Sequence, residues 1–302
     1  MKPSAFDYIR VDTLEETFAI LADSSFDAKI LAGGQSLLPL LNMRLARPGV
    51  LVDVNRLSGL DALELRSDDE GAQLAVGALV RQRTLERYAL AEPSARLLYA
   101  ALTNIGHPQT RNQGTVGGSL AHADPSAELP LVFTTLGGTA VVQNARGQRQ
   151  VAAEEFFQGH FTTAIEPDEM LIRTVWRLPA RHAGIAFREF RRRHGDFALV
   201  AAACVLEVDG RHTIQKVRLG IGGVADTPQL VKEAQELVSE PWTVAHARAI
   251  VEKVARQLDL ADDIQASASY RRQLAAVSLF QVLEGAFKDA LAKEATHAAD
   301  QG

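Results

Sequence analysis

TNIGHPQTRNQGTVGGSLAHADPSAELP, residues 103–130, is the stretch around which the rest of the chain is organised. It carries Gly106, Gly114, Gly117 and Gly118, punctuated by Pro108, Pro125 and Pro130. Glycine gives up backbone entropy in regular elements and proline removes a donor, so the run reads as neither a helix nor a strand. Its polar side chains (Thr115, Ser119, His122, Asp124, Ser126) come with little positive charge. Two readings stand: a long loop whose backbone lies against a ligand, or a glycine-rich surface excursion. Long structureless loops in compact domains tend to be functional.

Working outward, a second glycine turn lies upstream. Lys29, Ile30, Leu31 and Ala32 form a short apolar run that reads as a buried strand entering Gly33-Gly34. Gln35 and Ser36 follow, and residues 37–45 read as a helix, with Pro39 tolerated in its first turn. Such a strand–turn–helix junction has unpaired N–H groups, and the helix dipole favours an anion there. The two turns, AGGQS at 32–36 and TVGGS at 115–119, each couple two glycines with a hydroxyl residue. Consecutive amides in such turns form anion-binding concavities, and two of them could hold one pyrophosphate from both sides. Taken singly, each is more simply a turn. The sequence has neither the GxxxxGK[ST] phosphate loop nor a GxGxxG fingerprint. A phosphate cradle without its lysine, followed by Asp124 and Glu128 to bond sugar hydroxyls, favours a bulky dinucleotide over a triphosphate.

The remainder falls into two textures. Up to Leu178, strands and helices alternate: a capping box at Thr13–Glu16 opens a helix over 14–22, and strands are expected at 50–54, 62–66 and 73–77. Helices follow at 84–88, 94–104 and 129–136, then a hairpin about 145–147 and a strand at 170–178. Beyond Pro179 come three strands (185–190, 198–208, 213–222), with Asp209-Gly210 as a hairpin turn, and then helices at 231–237, 244–257 and 270–288. Strands and helices in separate blocks indicate an α+β domain. The domain expectation is 1–178, divided near Leu57, then 179–288. A flexible tail is expected over 289–302, Ala-, His- and Asp-rich from Glu294.

Composition narrows the function. At 302 residues with 47% hydrophobic and 23% charged side chains, the chain has material for about two domains. A net charge of −5 argues against a nucleic-acid binder. No apolar run suits a bilayer span or a secretory signal, so no stable membrane insertion and a cytoplasmic location are expected. One cysteine, Cys204, can hold neither an internal disulfide nor an iron–sulfur cluster, and its apolar setting suits a buried structural thiol. No metal-ligand spacing and no catalytic nucleophile can be read. Arg191-Arg192-Arg193 reads as a solvated basic face or a phosphate contact. Phe187, Phe190 and Phe197 read as core, or as neighbours of a flavin ring.

Three separated segments, AGGQSLLPLLNMRLARP (32–48), IGHPQTRNQGTVGGSLAHADPSAELP (105–130) and FREFRRRHGDFALVAAA (187–203), together resemble the FAD-binding medium subunits of bacterial molybdenum hydroxylases. The likeness runs over residues 3–288. It implies a PCMH, or vanillyl-alcohol-oxidase-type, FAD-binding domain of two α/β subdomains, followed by a smaller domain of three antiparallel strands with helices. By this resemblance Lys29, Ile30, Leu31, Ala32, Gly33, Gly34, Gln35 and Ser36, with Thr115, Gly117, Gly118 and Ser119, embrace the pyrophosphate of a non-covalent FAD. Asp124 and Glu128 bond ribose or ribityl hydroxyls, and Ile105 and Leu171 pack near the adenine or ring system. Arg188 stands where some relatives have lysine, and Phe197 where relatives have Tyr or Ile. The resemblance further implies a large partner with the molybdenum cofactor and a small one with two [2Fe–2S] clusters. A heterotrimer or its dimer is expected, with no catalytic side chain and no metal in this chain. Electrons pass from the clusters through FAD to a quinone, NAD or another acceptor. The alternative is a self-sufficient flavin oxidoreductase of the same fold. Cys204 alone excludes the 4-hydroxybenzoyl-CoA reductase branch, which carries an extra cluster.

Overall fold

The computed structural model describes residues 2–68 and 71–300. It opens with β1 (Asp7–Arg10), α1 (Leu14–Ala22), β2 (Ala28–Leu31), α2 (Leu37–Asn42) and β3 (Val50–Asp53). The three strands form a parallel sheet in the order β1-β3-β2. Thr13 caps α1 by accepting the Glu16 N–H, and Glu16 returns the bond to the Asp12 N–H. β3 is central and its apolar residues are buried, whereas β1 is an exposed edge strand without alternation, a pattern that sequence periodicity does not reveal. α2 ends at Asn42, three residues earlier than expected.

A second sheet follows. It comprises β4 (Leu63–Asp68), β5 (Gly71–Gly77), β6 (Thr139–Asn144), β7 (Gly147–Ala152) and β10 (Met170–Arg177), antiparallel in the order β4-β5-β10-β6-β7. Between these strands lie α3 (Gln82–Ala91), α4 (Arg96–Leu102), α5 (Pro108–Gln113), α6 (Val116–His122), α7 (Glu128–Leu136), α8 (Ala153–Phe156) and a small hairpin of β8 (Phe157–Gly159) and β9 (Thr162–Thr163). Leu97, Leu98, Leu120, Leu129, Phe133 and Trp176 are fully buried in the main core.

The expected long loop at 103–130 is a correction. It folds into three short helical segments, α5, α6 and the start of α7. Pro108 opens α5 at a position where its missing N–H costs nothing. The Thr115 hydroxyl caps α6, and Ala123, at φ 52°, ends it. Asp124 then accepts the Ser126 N–H and turns the chain into α7. Helix propensity is poor throughout, but Val116, Leu120, Leu129 and Leu131 are fully buried. Tertiary packing overrides propensity here. Gly117 serves that packing: a Cβ there would lie 2.6 Å from the Ala78 Cβ and 2.7 Å from the Ala78 O.

The second unit is an antiparallel sheet of β11 (Gly184–Phe190), β12 (Val200–Val208), β13 (Ile214–Gly222) and β14 (Gln229–Leu230), in that order. It is thus four-stranded rather than three, the last strand being two residues long. Residues 232–237 form a 3₁₀ helix rather than an α-helix. α9 (Val244–Gln257) and α10 (Ala268–Asp300) accompany the sheet. A Cβ on Gly184 would sit 1.8 Å from the Ala286 O, so α10 presses directly on β11. The flexible tail expected from residue 289 is a further correction, because α10 continues to Asp300. Asp289 accepts the Ile185 N–H at 2.9 Å and pairs with Arg96 and Lys293, while Ala290 is buried. Residues 301 and 302 lie outside the described residues.

The two units meet beside the opening stretch. The Gly223 N–H donates to the Pro125 O, and Arg218 reaches the carbonyls of Thr134 and Thr135 at the end of α7.

Candidate functional site

β2 and β3 run parallel, so residues 32–36 and Asp53–Asn55 lie at the same carboxyl edge, where open parallel sheets hold ligands. The backbone N–H groups of Gly33, Gly34, Gln35 and Ser36 donate to no group among the described residues. Their carbonyl side is tied. The Ala32 O accepts from Asn55 Nδ2 at 2.9 Å, the Gly33 O from Gln35 Nε2 at 3.3 Å and the Gly34 O from the Leu38 N–H at 3.0 Å. In a trans peptide the carbonyl and the following N–H point in opposite directions. The three tied carbonyls therefore turn the amides of Gly33, Gly34 and Gln35 the other way, and with the unbonded Ser36 N–H they make a concavity suited to an oxyanion. Gly34, at φ +71°, provides the left-handed residue of the turn.

The second turn looks alike in sequence and differs in bonding. The Val116 N–H donates to the Val80 O, Gly117 to the Ala78 O, Gly118 to the Thr115 Oγ1 and Ser119 to the Thr115 O, at 2.9–3.2 Å. These four amides are used internally, while the Thr115 N–H ahead of them donates to no group among the described residues, so this turn offers one backbone donor where the first offers four. The half-buried Ser119 hydroxyl is a side-chain group this turn leaves without a partner among the described residues.

The turns touch. A Cβ on Gly33 would lie 2.4 Å from the Gln113 O and 2.7 Å from the Gly114 Cα. Arg81 spans the contact, with Nη1 donating to the Gln113 O at 2.5 Å and Nη2 to Asn55 Oδ1 at 2.7 Å. Asn55 also bonds Asp53 Oδ1.

The other expected residues divide into three groups. Lys29 is exposed on β2, with Ile30 and Leu31 half-buried beside it. Its charge is felt at His122, which burial holds below the usual imidazole range despite Asp124 nearby. Asp124 is half-buried and, like Lys29, acts on the charge of His122. Glu128, Ile105 and Leu171 lie deeper, at 7%, 9% and 4% exposure. Ile105 and Leu171 are built into the main core. Burial, with Glu189 next in weight, pushes the Glu128 carboxyl up to about 8. Glu189 bonds Arg191 through Oε1 at 2.8 Å, while its Oε2 is buried without a partner. Arg191 reaches on to the Asn104 O. Arg188 and Phe197 form the third group, on β11 and the loop after it. Arg188 is exposed, its guanidinium 5.3 Å from the Phe190 ring centre. Phe197 is 65% exposed and lines a cleft of about 540 Å³ with Ser126, Arg192, Arg193 and Arg271. That loop leans on the opening stretch: a Cβ on Gly195 would lie 2.8 Å from His107 Nε2.

Arg111 is a strut inside the opening stretch. It is buried, bonded to Glu86 Oε2 at 2.7 Å and to the Ile105 O. Burial opposes charge on Glu86, but Arg111 and Arg83 outweigh it and hold the carboxyl below its ordinary range. Cys204 is fully buried in β12, where burial pushes its thiol far up. Among the described residues no group of His, Cys, Asp and Glu could hold a metal ion, and no helix is long and apolar enough to cross a membrane.

Comparison with known proteins agrees with this layout. The model of the FAD binding domain in molybdopterin dehydrogenase matches residues 4–179, and that of the CO dehydrogenase flavoprotein C-terminal domain matches 185–286. The chain belongs to the FAD-binding medium subunits of the molybdenum hydroxylases. As a medium subunit it is 40% identical to the 6-hydroxypseudooxynicotine dehydrogenase complex subunit alpha of Paenarthrobacter nicotinovorans, over 91% of this chain and 92% of that one. It is 32% identical to the carbon monoxide dehydrogenase medium chain of Afipia carboxidovorans, over 95% and 98%. The solved quinoline 2-oxidoreductase from Pseudomonas putida 86 superposes with a TM-score of 0.89 at 36% identity, covering 96% of this chain and 99% of that one. FAD, the cofactor of this domain, fits the residues present. Four orphaned amides suit its pyrophosphate, and the nearest charges are not a ring of carboxylates that would repel it.

Sequence reasoning missed Asn55, Arg81 and Glu189, and Arg191, read as part of a solvated basic face or a phosphate contact, instead pairs with Glu189. Asn55 carried a signal, since it closes a strand parallel and adjacent to the one entering the glycine turn. Arg81 carried none, being an ordinary residue before a helix.

Proposed function

We propose that this medium subunit is the electron-transfer flavoprotein of a molybdenum hydroxylase complex, passing electrons from iron–sulfur clusters of a small partner to an external acceptor. The row of free amides at Gly33–Ser36 carries this reading, because it gives one FAD pyrophosphate a dedicated backbone site. When bound, FAD supplies the redox chemistry, accepting electrons singly and releasing them singly or in pairs. The chain's own residues bind, orient and exclude water. Gly33, Gly34, Gln35 and Ser36 donate to phosphate oxygens, with Lys29 adding charge. Thr115, Gly117, Gly118 and Ser119 form the opposite wall, Ser119 through its hydroxyl. Asp124 and Glu128 serve the sugar and ribityl hydroxyls. A carboxyl held near 8, as Glu128 is, can donate such a bond at neutral pH.

Ile105 and Leu171 back the ring region from the core, and Arg188 and Phe197 approach from the second unit. The arginine-lined cleft at Phe197 is also lined by Ser126, between α6 and α7, and gives an acceptor a route to the ring. No side chain need act as a general acid or base in substrate oxidation, which belongs to the large partner with the molybdenum cofactor. The assembly is a heterotrimer or its dimer, in the cytoplasm.

Purification tests this directly. The isolated chain should take up FAD, show flavin absorption, release the cofactor intact on denaturation and leave substrate untouched without its partners. A folded chain that takes up no FAD, or substrate oxidation by the chain alone, overturns the reading.

A further inference from the structure

The flavin site as described names the groups that would meet FAD. It does not explain why residues 32–36, a turn with two glycines, hold every N–H outward before any ligand arrives. A glycine pair can flip its peptide planes at little steric cost, and each flip would replace a donor with a carbonyl that repels phosphate. Something must fix the planes.

We propose that Asn55 and Arg81 are positioning residues of the flavin site, forming a two-link latch that fixes the Ala32–Gly33 peptide, the first of the amides of residues 33–36, and clamps that turn onto Gln113–Gly114 ahead of α6. The inference rests on the reading that these amides receive the FAD pyrophosphate.

The latch is visible bond by bond. Asn55 Nδ2 holds the Ala32 O at 2.9 Å, so the Ala32–Gly33 peptide cannot rotate its N–H inward without losing that bond. Asn55 has one amide to spend on two tasks, and Arg81 sets its orientation. Arg81 Nη2 donates to Asn55 Oδ1 at 2.7 Å, which leaves the Asn55 NH₂ group facing Ala32 and Asp53. The other prong of the same guanidinium, Nη1, bonds the Gln113 O at 2.5 Å. That carbonyl is the atom against which Gly33 packs, with 2.4 Å of room for a Cβ. One planar fork thus holds the wall that Gly33 leans on and the side chain that ties Ala32. Only arginine presents two parallel donors in this way; lysine can satisfy one of them. The Arg81 backbone is itself fixed by its antiparallel bridge to Thr115, the capping residue of α6.

Asn55→Asp separates positioning from plain stability. Aspartate keeps and strengthens the acceptor for Arg81, but it cannot donate to the Ala32 O and repels it. FAD affinity, measured by flavin fluorescence on the FAD-depleted protein, should fall about tenfold or more, a loss out of proportion to the fall in melting temperature of the FAD-free protein that repulsion from Asp53 Oδ1 would bring. Arg81→Ala should weaken FAD about tenfold, and Arg81→Lys should recover only part of that loss. The Asn55→Ala/Arg81→Ala double variant should be little worse than the poorer single one, because the links lie in series. If Asn55→Asp and Arg81→Ala both bind FAD within threefold of the wild type, the latch is wrong. It is equally wrong if every loss of affinity tracks an equal loss of melting temperature, since the residues then merely support the fold. Wild-type protein that takes up no FAD would instead sink the flavin reading itself, so the two failures are distinguishable.

Discussion

The two glycine turns, 32–36 and 115–119, share a sequence pattern and diverge in physics. The first has the carbonyls of residues 32–34 tied and its amides free; the second has the amides of Val116–Ser119 bonded into the segment after β5 and its own cap, with only the Thr115 N–H left over. Gly33 is small because the second turn's approach passes under it, and Gly117 is small because Ala78 lies beneath. In both, glycine is required by protein, not by ligand. A Gly-Gly pair beside a hydroxyl therefore says that backbones approach closely, and only the hydrogen-bond inventory says whether an anion can profit.

If the second turn is chiefly scaffold, its supports should cost fold stability most. Arg111→Met removes the main partner of Glu86, where both side chains are buried. An unpaired buried carboxylate should cost about 3–5 kcal/mol in chemical denaturation, with Arg83 offsetting part. Gly117→Val should cost about 1–3 kcal/mol by overpacking against the Ala78 backbone. Both losses should appear with and without FAD. A Gly117→Val protein of wild-type stability with no FAD affinity would reverse the comparison, making the second turn the direct ligand.

The fold was legible wherever period and punctuation agree. The buried runs of β3, β10, β12 and β13 and the capping box of α1 were read from the residues. Residues 103–130 were not, because three helices of under three turns depend on Val116, Leu120 and Leu129 finding a core that local sequence cannot describe. The end of α10 was missed for a similar reason: Asp289 and Lys293 look solvent-facing in a polar tail until Ile185 and Arg96 are placed beside them. In the site, the residue types that carry a ligand were visible, and those that hold the carriers were not. Arg81 and Asn55 act through single bonds to carbonyls more than twenty residues away, and no local pattern encodes such a bond.

Glu128 offers a pH test of the buried side of the site. Burial and Glu189 raise its carboxyl, so the folded chain binds this proton more tightly than the unfolded chain does. The folded state is thus favoured at low pH, and the advantage is lost as pH climbs from the ordinary carboxylate range towards about 8. Glu128→Gln should flatten that slope and make the FAD-free protein more stable than wild type by about 1–2 kcal/mol at pH 8.5. Parallel stability–pH curves for the two proteins would show that Glu128 ionises freely.

The smallest stability effects should discriminate best between the turns, because they leave both intact enough to bind. Thr115→Ala removes the hydroxyl that caps α6 and should cost about 1 kcal/mol of stability. It also frees the Gly118 N–H, giving the second turn a further donor of the kind the first turn has in a row. Gly34→Ala places a Cβ on a residue at φ +71°, 3.0 Å from Leu38 Cδ1, for about 1 kcal/mol of backbone strain. The two changes cost the fold about the same, so FAD affinity becomes the reporter. If only the first turn's row of amides holds FAD, Gly34→Ala should weaken FAD several-fold as its peptide planes shift, and Thr115→Ala should leave affinity near wild type. Equal losses in both would mean that the Thr115 hydroxyl itself meets the cofactor, and the asymmetry between the turns would then belong to the FAD-free protein alone.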